Sequence, residues 1–152
     1  MKDDFSLYNN GQPPARRKGW DDVELLDQAQ AMGGALKALK DELHRHPELS
    51  FQERRTTALL QEKLTQLGLE LVDLGMETGV VALLRGGKPG GTVALRADID
   101  AIAQQEAAHD GALSCVDGVM HGCGHDFHTA GLYGAASLLC QRRDTLPGSV
   151  VF

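Results

Sequence analysis

Cysteine, long apolar runs and a secretory signal are scarce or missing in this sequence. The three cysteines, Cys115, Cys123 and Cys140, are an odd number without a Cys-x-x-Cys pair, so we predict a reducing compartment and no disulfide framework. No apolar run approaches the roughly 20 residues that a membrane-spanning helix needs. The acidic start at residues 1–4 lacks the apolar region of a secretory signal. These features predict a cytoplasmic protein with no membrane partner.

Positive charge is too sparse for a nucleic-acid-binding surface. The chain has 152 residues, with 15 Lys and Arg against 21 Asp and Glu, and its one dense basic cluster is residues 16–18. Nucleic-acid binding generally needs a clustered basic face, so we predict no nucleic-acid partner. A hydrophobic fraction of 42% and a charged fraction of 24% are instead typical of a globular protein.

The first third of the chain predicts a flexible leader followed by a helix. Residues 1–19 are polar and rich in turn-forming residues, whereas residues 20–152 are predicted to form the globular part. Apolar residues recur at spacings of three and four over residues 21–46, which predicts one amphipathic helix. Gly33-Gly34 weakens the continuity of this helix, and Pro47 is expected to end it.

Two further helices are predicted from capping signals and apolar content. Ser50 and Glu53 form a potential capping box for a helix over residues 50–67, and Gly68 is expected to end it in a left-handed conformation. Another helix is predicted over residues 126–142.

Short β-type runs lie between these helices. They cover residues 69–74, 79–84 and 92–96, with a glycine-rich turn at 86–91. Because the second and third runs are apolar on both sides, we expect both of their faces to be covered.

The last run, residues 149–152, resembles the opening of a core strand, yet the sequence stops there. It is either a short terminal strand or part of a longer protein. We favour the longer protein, because an edge strand that stops at this point leaves backbone groups unpaired.

The densest set of potential metal ligands is the segment 121–128, His-Gly-Cys-Gly-His-Asp-Phe-His. In an extended segment Cys123 and His125 would point to the same side, and thiolate and imidazole both suit zinc-like metals. Asp126 would then begin the following helix, at the positive end of its dipole. Two alternatives remain, a buried cysteine with surface histidines and a closed structural zinc site.

Two acids, Asp98 and Asp100, follow an apolar β run. An acid at the end of a strand can hydrogen-bond a metal-bound imidazole and so orient it. The alternative is an acidic turn without a metal. His44 and His46 end a predicted helix, and we interpret them as capping and packing residues.

Four motifs in order resemble the N-terminal half of the metallopeptidase-related amidohydrolases, which include hippurate hydrolase, N-acyl-amino-acid amidohydrolases and auxin-conjugate hydrolases. The motifs are residues 43–51, 78–82, 94–101 and 120–130. The resemblance extends over about residues 36–152. Two departures are local: Gly122 stands where the family often has alanine, and Ile102-Ala103 replaces the usual leucine-proline.

The resemblance implies a catalytic α/β domain with a mixed sheet and two adjacent divalent metal ions, zinc or manganese. Cys123 and His125 would be metal ligands, and Asp100 would orient a ligand. Asp98 stands where related peptidases have a histidine ligand. Residues 20–152 would form the N-terminal part of this domain, without the lid domain and the C-terminal part.

The activity that the resemblance implies is metal-dependent hydrolysis of N-acyl amino acids or related peptide-like conjugates by the full-length protein. The lid domain would also allow a homodimer. The family's general base, one of a Glu-Glu pair, is not among these 152 residues. The alternatives are an inactive truncated fragment and a non-catalytic structural-zinc module that binds another protein.

Overall fold

A computed structural model describes residues 22–152, so the predicted leader at residues 1–19 lies outside the described part of the chain. Two helices, α1 (Asp22–Ala31) and α2 (Gly33–Arg45), occupy the segment for which one helix was predicted. The break lies at Met32, immediately before the two glycines, where helix continuity was expected to be weakest. No helix within residues 22–152 has the length and apolar character needed to cross a membrane.

Helix α3 (Arg54–Gln66) begins later than predicted and is capped by a different residue. Glu53 is its N-cap and makes no side-chain capping bond, so the predicted Ser50 capping box is wrong. The carboxylate of Glu48 instead accepts the main-chain N–H groups of Arg55, at 3.0 Å, and Thr56, at 2.7 Å. An acid outside the helix therefore satisfies the free donors of its first turn.

The strands form one mixed sheet, as predicted. They are β1 (Glu70–Val72), β2 (Val81–Arg85), β3 (Lys88–Ala94) and β4 (Pro147–Val151), in the spatial order β1-β2-β4-β3. Strand β4 runs parallel to β3 and antiparallel to β2, and β1 runs antiparallel to β2. The terminal run of the sequence is thus an interior strand of this sheet.

Strand β3 differs from its prediction in extent and burial. Residues 88–91, assigned to a turn, belong to the strand, and only Gly86-Gly87 connects β2 to β3. The strand is exposed along its whole length, so the expectation that both of its faces are covered is wrong. Apolar composition does not distinguish an edge strand of the described sheet from an interior one. Gly148 has φ 75°, and a Cβ there would lie 1.9 Å from the carbonyl oxygen of Gly91, so only glycine fits where β3 and β4 meet.

Helix α4 (His125–Cys140) agrees with the predicted third helix and joins two hydrophobic clusters. One cluster lies between the sheet, α3 and α4, and its buried members are Leu64, Leu69, Ala82, Leu84, Ala136, Leu146 and Val150. The other, between α2 and α4, comprises Leu39, Leu43 and Ala130. Tyr133 packs against both clusters. This packing holds the N-terminus of α4 beside the segment that follows β3.

Candidate metal centre

The motif at residues 121–128 forms a turn followed by the first turn of α4. Gly122 and Cys123 lie in the turn, so the extended geometry assumed from the sequence does not apply to Cys123 and His125. Gly124 has φ 78°, a conformation that residues with a Cβ rarely adopt. This left-handed residue makes His125 the first residue of α4.

The imidazole of His125 is oriented by Asp100. Its Nδ1 atom lies 2.9 Å from the Oδ1 atom of Asp100 and 3.0 Å from the main-chain oxygen of the same residue. Both partners are oxygen acceptors, so Nδ1 carries the hydrogen and Nε2 keeps its free lone pair. A carboxylate bound in this way is the usual support of a metal-ligating histidine. The orienting role of Asp100 and the metal role of His125 both stay predictions.

Asp98 lies at the same cleft but has other partners. Its carboxylate forms an ion pair with Arg96, and its main-chain oxygen accepts the hydroxyl group of Thr129 at 3.0 Å. Asp98, Asp100 and His125 all line one open cleft of about 770 Å³. The structure therefore brings these three predicted residues together, with Asp98 held by a neighbouring cation.

Cys123 is exposed, two residues before His125 in the chain. An exposed thiol beside a helix N-terminus is accessible to a metal ion. Its role as a ligand stays a prediction.

The turn at Gly122 and Cys123 packs closely against Ile102. A Cβ atom on residue 122 would lie 2.6 Å from the Cδ1 atom of Ile102, so the alanine common in the family would collide with this side chain. Ile102 also exchanges two main-chain hydrogen bonds with Met120, of 2.9 and 3.1 Å. Two positions that depart from the family pattern, 102 and 122, are therefore in direct contact.

A second polar cluster surrounds His44 in α2, which was interpreted as a capping residue. His44 is buried, with its Nδ1 atom 2.7 Å from Oδ2 of Asp126 and its Nε2 atom 2.8 Å from Oε1 of Glu106. The Nε2 atom of His109 lies 3.0 Å from the same Glu106 oxygen. Within residues 22–152, His44, Glu106 and His109 are the group of three ligand-type side chains whose donor atoms lie within 4.8 Å of one another.

Glu106 is held in its charged form. Its Oε2 atom accepts the main-chain N–H of Ser114 at 2.6 Å, and this bond, with those from His109 and His44, lowers its pKa to about 2. Hydrogen bonds to a carboxylate favour its ionised state. Glu106 is therefore an anion at neutral pH.

Asp126 and His121 lie between the Asp100–His125 pair and the cluster around His44. Asp126 is buried in the first turn of α4, as expected, and Lys40 approaches its carboxylate to 3.6 Å. His121 is only 6% exposed, and among the described residues neither of its ring nitrogens has a hydrogen-bond partner. Burial lowers the pKa of His121, against the opposing charge of Asp126, which favours the neutral imidazole.

Sequence reasoning missed this second cluster because its members are far apart in the chain. His44 and Asp126 are separated by 82 positions, and His44 and Glu106 by 62. No short-range spacing marks them as neighbours. The available signal was a glutamate and a histidine three positions apart, Glu106 and His109, in an otherwise unexplained polar loop, residues 104–120.

Known proteins resemble this chain in sequence. Residues 94–152 match the model of peptidase family M20/M25/M40. N-acetylcysteine deacetylase from Bacillus subtilis is 48% identical over 115 residues, which are 75% of this chain and 30% of that protein. N-acyl-L-amino acid amidohydrolase from Geobacillus stearothermophilus is 44% identical over 115 residues, 76% of this chain and 31% of that protein. The chain thus spans about 30% of the length of the curated relatives it matches.

The fold is also similar to that of a solved relative, a dinuclear metal binding peptidase of the M20 family from Bacillus subtilis. The TM-score is 0.77 with 46% sequence identity, over 81% of this chain and 34% of that one. This similarity agrees with the predicted α/β fold and mixed sheet. The chain is therefore similar to part of the proteins of peptidase family M20/M25/M40, and its matched relatives include amidohydrolases, deacetylases and a dinuclear metal binding peptidase, as the resemblance of its motifs implied.

Proposed function

We propose that the full-length protein hydrolyses the amide bond of N-acyl amino acids, using two divalent metal ions, zinc or manganese. The activities of two relatives, a deacetylase and an amidohydrolase, support this substrate class. The dinuclear metal site of the solved relative supports the metal requirement. The observation that carries the proposal is the Asp100–His125 contact at the cleft.

The side chains of His125 and Cys123 are suitable ligands for a zinc-type metal ion. The Asp100 contact leaves the Nε2 lone pair of His125 available, at the wall of the cleft. The exposed Cys123 carries a thiol two residues away in the chain, which a bound metal ion would hold as thiolate. Imidazole and thiolate are favoured zinc ligands, and an oriented imidazole is a more basic one. This donor set supports Cys123 and His125 as two of the protein ligands.

Two acids of this chain, Asp100 and Asp98, have different parts in the proposed reaction. Asp100 keeps the proton of His125 on Nδ1 and so holds the ring in one tautomer and orientation. Asp98, paired with Arg96, keeps a second carboxylate at the wall of the cleft. The metal ions, when bound, polarise the amide carbonyl and acidify a water molecule. Metal ligands beyond Cys123 and His125 and a general base would come from the remainder of the full-length protein.

A cytoplasmic location and a homodimer stay predictions from the sequence and its family resemblance. The free thiols of Cys115, Cys123 and Cys140 are compatible with a reducing compartment.

The proposal is tested with the full-length protein and a set of N-acyl amino acids, including N-acetylcysteine and hippurate. We expect amino-acid release that EDTA abolishes and that added zinc or manganese restores. The metal content of the same samples is measured by mass spectrometry. A protein that binds two metal ions but releases no amino acid from any of these substrates contradicts the proposed reaction. A full-length protein that binds no metal ion also contradicts the proposal.

A further inference from the structure

We propose that His44, Glu106 and His109 form an additional binding site for a single zinc-type divalent cation, separate from Cys123 and His125. The three side chains come from α2 and from the loop between β3 and α4, and their donor atoms lie within 4.8 Å of one another. Two imidazoles and one carboxylate are a frequent ligand set for zinc, with a fourth position left for water or another ligand. This inference does not depend on the proposed hydrolysis.

The distances suit a shared cation. The Nε2 atoms of His44 and His109 lie 2.8 and 3.0 Å from the same Oε1 atom of Glu106. Tetrahedral zinc with bonds of about 2.0–2.1 Å holds two ligand atoms about 3.3 Å apart. The two distances to Glu106 are therefore within a few tenths of an ångström of this value, and all three ligand atoms lie within 4.8 Å of one another.

The support around the ligands is already in place. The second ring nitrogen of His44, Nδ1, lies 2.7 Å from the carboxylate of Asp126, which is the carboxylate–imidazole pairing typical of metal-bound histidines. The other carboxylate oxygen of Glu106 accepts the main-chain N–H of Ser114 at 2.6 Å. Two of the three ligands are thus held in position by groups that do not compete for the cation.

Access and charge also suit a cation. His44 and Glu106 are buried, with side chains 9% and 6% exposed, whereas His109 is 46% exposed and leaves the cluster open to solvent. Glu106 supplies a negative charge to the site. A divalent cation that replaces the hydrogen bond between His44 and Glu106 would interact with the same oxygen.

A buried histidine beside the cluster provides an independent observation. His121 is 6% exposed, both of its nitrogens lack a hydrogen-bond partner among the described residues, and its ring centroid lies 6.2 Å from that of His44. Burying a polar group without a partner is costly. A cation or its bound water at the neighbouring cluster gives this imidazole a partner.

The test is a zinc titration of the whole protein, compared with three variants. His109→Asn removes the exposed ligand, where the substitution is least disruptive to folding. His46→Asn is the matched control, a histidine outside the cluster whose side chain is 36% exposed. Cys123→Ser removes a ligand of the other proposed site. Bound zinc is counted by mass spectrometry, its affinity is measured by competition with a chromogenic chelator, and folding is checked by circular dichroism.

We expect His109→Asn to bind one zinc ion fewer than the wild type, or to bind it at least about tenfold more weakly, because loss of a direct ligand should cost no less than loss of a supporting group. His46→Asn and Cys123→Ser should both retain this zinc ion. A fourth variant, Glu106→Gln, removes a second ligand and should lose the zinc ion too. Cobalt bound to Cys123→Ser should show a spectrum without thiolate charge transfer.

Wild-type zinc stoichiometry and affinity in folded His109→Asn overturn the proposal. Loss of the same zinc ion in Cys123→Ser also overturns it, because the cation would then belong to the other site. Failure of the proposed hydrolysis alone, with this binding pattern intact, leaves the additional site supported.

Discussion

The carboxylate of Asp126 lies 2.7 Å from the Nδ1 atom of His44, although the two residues are 82 positions apart. The residue before it, His125, forms the corresponding contact with Asp100 at 2.9 Å. Consecutive residues at the start of α4 thus belong to two separate carboxylate–imidazole pairs. His125 supplies the imidazole of one pair, and Asp126 supplies the carboxylate of the other. The position of this helix N-terminus therefore determines the geometry of both candidate metal sites.

The first prediction concerns Asp100. Its replacement in Asp100→Asn should preserve the fold and lower metal affinity or amide hydrolysis by the full-length protein by about 10- to 100-fold, because the amide no longer stabilises a basic, oriented His125. Both quantities are measured against Asp117→Asn, a change of the same kind at an exposed loop position. We expect Asp98→Asn to be harmful as well. Wild-type rate and affinity in Asp100→Asn would make this acid a simple turn residue.

The second prediction uses Cys123 as a reporter of metal binding. A metal-bound thiolate is unavailable for alkylation, so metal at about ten times its Kd should slow iodoacetamide labelling of Cys123 about tenfold in the full-length protein. Cys115, which is also exposed, is the internal control and should label at an unchanged rate. Peptide mass spectrometry gives both rates in one sample. Equal labelling of Cys123 with and without saturating metal excludes it as a ligand.

The third prediction concerns Cys140 in α4. Burial raises the pKa of this thiol, against the opposing effect of Arg143, so a smaller fraction is thiolate at a given pH. The midpoint of its alkylation rate against pH should therefore lie higher in the folded protein than in urea. The measurement follows the Cys140 peptide in both conditions. A midpoint at or below the value in urea would show that the charge of Arg143 outweighs burial.

Local patterns predicted the elements that depend on local chemistry. Gly68 has φ 74° and follows α3, as its C-cap role required, and α4 agrees with the apolar segment predicted over 126–142. The order of the strands was not accessible in this way. Strand β4 lies between β2 and β3 because of long-range pairing in the sheet. No local turn or residue spacing in the sequence predicts that position.

The same limit applies to the candidate sites. The family resemblance implied that Asp100 orients a metal ligand, but the sequence did not show that its partner would be His125. The predicted capping box at Ser50 is wrong because the carboxylate of Glu48, which lies outside α3, accepts the free N–H groups of its first turn. His44 was assigned to capping for a similar reason: its true partners are distant in sequence.

The fourth prediction concerns Glu48, which links α3 to the segment after β3. Its carboxylate accepts two N–H groups of the first turn of α3, and its main-chain oxygen accepts the N–H of Ala101 at 2.8 Å. Glu48→Ala should lower the free energy of unfolding by about 1–2 kcal/mol, the usual range for a lost N-cap. Urea unfolding measures the change. The exposed Glu62, within α3, is the control, and Glu62→Ala should change stability by less than about 0.5 kcal/mol.

The last prediction concerns the fit between Gly122 and Ile102. An added methyl group at position 122 would lie 2.6 Å from the Cδ1 atom of Ile102, well inside van der Waals contact. Cδ1 is the end of a flexible side chain, so the chain can adjust, and reduced freedom of the unfolded state offsets part of the cost of Gly122→Ala. The informative quantity is therefore the coupling between the two positions. Ile102→Val removes the colliding atom and should make Gly122→Ala more favourable by about 1 kcal/mol than it is in the wild-type background. Urea unfolding of the wild type, both single variants and the double variant measures this energy, and additive effects would show that the two departures from the family pattern are unrelated.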